Sequence, residues 1–135
     1  MKNLLKMTAI AALTFTSISA FAASQQAEEV KKFQAWEETA SKKLEASFDA
    51  VGAASATSNA TETEAAVAAF DKQAAENVAE LEALGIKSEE VSPLVSMYKE
   101  YVDAEKEVVQ LILSQVKSPS LDNAGKVPEA VAKAN

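Results

Sequence analysis

The sequence predicts an all-α protein: an antiparallel three-helix up-down-up bundle behind an N-terminal signal peptide. Three observations carry this expectation. Apolar residues recur every three or four positions along three long stretches. Gly52, Gly85 and Pro93 fall between those stretches, while Pro119, Gly125 and Pro128 lie beyond the last. Alternating apolar and polar residues, the mark of half-buried strands, do not persist over any useful length, and Ala, Glu and Lys dominate instead.

Residues 1–22 read as the signal peptide. Lys2 and Lys6 provide a positive start, Met7 to Ile18 a mostly apolar run, and Ala20-Phe21-Ala22 a small-x-small site, so cleavage is expected after Ala22. The apolar run falls short of the roughly 20 residues that a membrane span needs. The destination expected is the periplasm or the medium. Because no cysteine follows the apolar run, neither a lipid anchor nor membrane contact after cleavage is expected. Residues 23–117 should form the bundle domain and residues 118–135 an irregular tail, with at most a frayed turn from Pro128 to Lys133.

The first helix is expected from Gln26 to Val51, with Val30, Phe33, Trp36, Ala40, Leu44, Phe48 and Val51 on one stripe. From Gly52 to Ala60 the chain is small and polar, a composition suited to a linker. The second helix opens at Thr61, where Thr61-Glu62-Thr63-Glu64 has capping-box spacing. Val67, Phe70, Ala74, Val78 and Leu81 form its stripe, and Leu84-Gly85-Ile86 stops it, with glycine taking the left-handed conformation. The third helix should start at Ser92-Pro93, a hydroxyl cap followed by a proline whose missing N–H is harmless in the first turn, and run to Lys117.

Composition narrows the chemistry. The 135 residues contain no His and no Cys, and all 13 basic side chains are Lys. The chain therefore lacks a ready proton shuttle near neutral pH, a thiolate, and the planar guanidinium fork suited to phosphate. No nucleophile-elbow spacing occurs, calcium-loop and di-metal patterns are missing, and the haem signature Cys-x-x-Cys-His cannot form. No enzyme activity, cofactor or metal is expected. The net charge of −7 becomes −9 once Lys2 and Lys6 leave with the signal, which argues against nucleic acid as a partner. Acidic pairs such as Glu28/Glu29, Glu37/Glu38 and Glu62/Glu64 read as solvated helix faces, supported by opposite charges four apart such as Glu38 and Lys42. Asn59-Ala60-Thr61 matches the bare glycosylation sequon within the polar Ser55–Thr61 segment.

The third helix carries the functional expectation. Leu94, Met97, Tyr101, Val108 and Ile112 form its expected core face. Beside it Val95, Val102, Val109 and Val116 repeat every seven residues, with Tyr98, Glu105 and Ile112 at the complementary positions. The two lines cover about half of the helix circumference. One reading is an interaction seam of Val95, Tyr98, Val102, Glu105, Val109, Ile112 and Val116, taking a protein partner or a second copy through helix 3. The competing reading is a helix buried by both of its neighbours. The expected function is a structural or adaptor role through protein contact, without catalysis. The alternatives are an acidic inhibitor or immunity-type protein that blocks a basic toxin or hydrolase, and a periplasmic chaperone.

Overall fold

The computed structural model describes residues 20–134, with side chains for 24–120 and 124–134. The expected signal peptide lies mostly in residues 1–19, outside the described residues. Among the described residues there are four helices and no strand: α1 Ala20–Ala56, α2 Ala60–Ala83, α3 Ser92–Lys117 and α4 Leu121–Ala134.

Cross-helix contacts fix direction and register. From α1 to α2, Ala40 meets Asn77, Lys43 meets Glu80 and Phe48 meets Phe70. From α2 to α3, Glu82 pairs with Lys99, Asp71 with Gln110 and Glu64 with Lys117. Over their length each pair is antiparallel, since Phe48 late on α1 meets Phe70 early on α2 and Lys117 late on α3 meets Glu64 early on α2, so α1 runs parallel to α3, where Trp36 packs on Tyr98. Short connections enforce this order. The exposed ion pairs decorate the register; pairs of this kind contribute about 0–1 kcal/mol each.

The expected stripes form the core. Phe33, Trp36, Ala40, Leu44 and Val51 from α1 are buried with Val67, Phe70, Ala74 and Leu81 from α2, while Val30, Phe48 and Val78 are half-buried against them. Gly85 ends α2 as expected, with φ 65° and its N–H bonded to the carbonyl of Glu82, and Ile86 folds back onto the core.

Four local expectations are corrected. α1 does not stop at Val51: Gly52 stays helical, and the alanines around it carry the helix to Ala56. The cap of α2 is Asn59 rather than Thr61. Its Oδ1 accepts from the N–H groups of Thr61 and Glu62 at 3.1 and 3.2 Å, as an Asx side chain does at this position. At the start of α3 the Ser92 hydroxyl caps nothing and donates to the carbonyl of Ser88, while Val91 holds the cap position and Pro93 lies in the first turn. Finally, the expected irregular tail is mostly helical, so the three-helix bundle has a fourth member. α4 accommodates Pro128 in its interior and buries Ala130 against α3.

Candidate functional site

The expected seam on α3 turns inward. Tyr98, Val102, Glu105 and Val109 are buried by the chain itself, whereas Val95, Ile112 and Val116 are half-buried. Four of the seven seam residues thus face the interior of this chain, and three lie at its margin. Leu94, Tyr98, Val102, Glu105, Val109 and Leu113 are the true inner line of α3, and they continue the spacing of three and four. Of the line expected to face the core, Leu94 is buried, but Met97 is 40% exposed, and Tyr101 and Ile112 lie at the margin. Of that line, Val108 is buried outside the contiguous core.

The centre of the bundle is a polar pin. Asn77 of α2 is fully buried, and its side-chain amide donates to the Ala40 carbonyl of α1 and to the Tyr98 hydroxyl of α3, both at 2.9 Å. Gln73 donates to Asn77 Oδ1 at 2.9 Å. One side chain thus ties three helices at a fixed height. Trp36 stands edge-on to the Tyr98 ring at 4.7 Å and lies 5.6 Å from Phe33. Burial pushes the Tyr98 phenol up to about 12, against the hydrogen bond from Asn77 and with the help of the acidic Glu37 and Glu80. The tyrosine therefore stays neutral and serves as a fixed polar contact. Sequence reasoning missed Asn77, although its place in the series Phe70, Ala74, Asn77, Leu81 marks it as inward.

A second clasp closes one end. Glu29 of α1 is buried and reaches the α2–α3 connection, accepting from the N–H groups of Lys87 and Ser88 at 3.1 and 3.0 Å and from the Ser88 hydroxyl. Burial pushes its carboxyl up, but the Ser88 hydroxyl, the two backbone N–H groups and Gln25 outweigh it and hold it below the usual glutamate value. Glu105 has no such set. Burial raises its carboxyl against a hydrogen bond from Tyr101, and its Oε2 is without a partner among the described residues. The indole Nε1 of Trp36 is likewise unbonded.

Between α2 and α3, an opening of about 370 Å³ is floored by Ala75, Val78, Ala79 and Val102, with Glu82, Lys99, Asp103 and Lys106 around it. It is a surface groove, spanned at one end by the Lys99–Glu82 pair at 2.6 Å. Among the described residues no cluster of acidic side chains has metal-binding geometry, and no helix is long and apolar enough to cross a membrane.

Comparison with known proteins adds one match. The family described as "Uncharacterised lipoprotein PM1805" matches residues 27–135. No curated protein and no solved structure matches the chain. The family agrees with the expectation of export in its coarse form, because lipoproteins are exported. It overturns the expectation of no lipid anchor and no membrane contact. That expectation leaned on one missing residue type near the N-terminus, whereas the match rests on the pattern of the helical domain itself.

Proposed function

The chain belongs to the uncharacterised lipoprotein family PM1805, and on that premise we propose that its helical domain is an exported, non-catalytic scaffold that acts by contact with another protein in the periplasm. The observation that carries this reading is where the buried polar side chains are used. Asn77, Tyr98 and Glu29 bond one helix or connection to another, which makes a rigid frame. Charged groups lie chiefly outside, where Glu28, Glu38, Glu45 and Asp49 of α1 and Glu62, Glu64, Glu76 and Glu80 of α2 are exposed. A chain of net charge −7 presents such faces to positively charged partners and speeds their encounter.

That charge also favours a second reading, an inhibitor of a basic toxin or hydrolase. The two readings differ in what happens to the partner. Affinity capture from envelope extract, with mass spectrometry and a measured oligomeric mass, tests the shared proposal. It expects a stoichiometric protein partner whose retention weakens with salt and with Glu38→Lys plus Glu45→Lys. A partner whose enzymatic activity falls in the complex selects the inhibitor reading. No partner held at low salt, or substrate turnover by the purified domain, would overturn both.

A further inference from the structure

We propose that α4 is a reversible strap, which leaves α3 and returns while the three-helix core stays closed, alternately covering and baring a strip of α3 that includes Val108 and Leu111. Packing gives the first reason. Val108 and Ala130 are both buried, at 1% and 3% exposure, yet neither belongs to the contiguous cluster that joins α1, α2 and α3. α4 makes its main packing contact with α3 alone. On a helical wheel Leu111 lies more than a quarter turn from the inner line of Tyr98, Val102 and Val109, so this cover is separate from the core and is not an extension of it.

The interface also leaves a gap. An opening of about 200 Å³ remains between the two helices, lined by Glu107, Leu111, Lys126, Glu129, Ala130 and Lys133. Among the described residues no ion pair joins α4 to α3, and Lys133 pairs within its own helix with Glu129 at 4.0 Å. Pro128 inside α4 has no N–H for the carbonyl one turn earlier, so the helix is weakened at its middle. Val131 remains 38% exposed. By contrast, α1, α2 and α3 are cross-bonded through Asn77. A short terminal helix that packs mainly on one neighbour, outside the shared core, opens locally at lower free energy than the whole.

Hydrogen exchange on the full chain reads this directly. The amides of α4 are expected to exchange on the order of a hundredfold faster than those of α2 and α3, with the Trp36 emission unchanged under the same conditions. Ala130→Asp should abolish protection in α4 alone and leave the urea midpoint followed by Trp36 in place. Pro128→Ala should slow exchange in α4 by restoring the missing donor. Protection of α4 equal to that of α2 and α3 would overturn the proposal. So would a loss of core protection or of the Trp36 signal in Ala130→Asp.

Discussion

Glu29 and Glu105 have the same exposure, 6%, and opposite fates. At the Glu29 end, a carboxylate from α1 meets donors from the α2–α3 connection, and the chain ends up clasped by a charged group. In the middle of α3, Glu105 has Tyr101 one turn away and one oxygen without a partner among the described residues. Solvent exposure is equal, and the donors around the two groups are not. A carboxylate with several directed N–H and O–H bonds stays charged and stabilises, while one with too few favours its protonated form. Burial of an acid therefore says little about stability until its donors are counted.

The largest expected effect comes from the most completely satisfied polar group. Asn77→Ala should destabilise the fold by about 2–3 kcal/mol in urea unfolding, because it strands the Tyr98 hydroxyl in the interior and takes the acceptor from the half-buried Gln73 amide. If the loss stayed below that of an exposed control such as Gln110→Ala, partner counting would fail as an explanation. Glu29→Gln should cost about 1–2 kcal/mol at pH 7, since an amide is a weaker acceptor for the two N–H groups.

The pH dependence follows from the directions. Glu29 lies below its ordinary value of 4.5 in the folded state. Its contribution is full above that value and is lost as pH falls through the lower folded one. Glu105 lies above 4.5, so its contribution is full below 4.5 and is lost as pH rises through the higher folded value. Thermal melts from pH 3 to pH 8 should show Glu29→Gln removing part of the acid-side loss and Glu105→Gln removing part of the decline on the way to neutrality. At pH 7, Glu105→Gln should raise stability by about 1 kcal/mol, the reverse sign to Glu29→Gln, and equal signs would break the comparison. The smallest effect lies away from both carboxylates. Ser58, with φ 55° between α1 and α2, should gain about 0.5 kcal/mol as Ser58→Gly, with no pH dependence.

Periodicity and punctuation made much of this fold legible. Phe33, Trp36, Ala40, Leu44, Val67, Phe70 and Leu81 are where their spacing puts them, and α3 begins at Ser92 and ends at Lys117 as expected. On α3 the spacing gave two apolar lines, and the one read as the core face lies largely at the margin. The inner one is chosen by Asn77 and Trp36, both on other helices, which hold Tyr98. Tertiary contacts of that kind leave no local signature. α4 was obscured by Gly125 and Pro128, breakers that a short helix tolerates when Ala130 has a surface to cover. Glu29 was legible only in part: its step from Gln26 to Phe33 follows the stripe, but Ser88, which accounts for its burial, is 59 residues away.

The carbonyl of Ala40 receives a side-chain amide from the neighbouring helix, which requires the two backbones to run close together at that height. The methyl groups of Ala40 and Ala74, 1% and 0% exposed, leave room for that approach. A bulkier residue at either position would act as a wedge at a fulcrum. It would lever the helices apart toward both tips, so a single added isobutyl group would do damage far from where it was inserted.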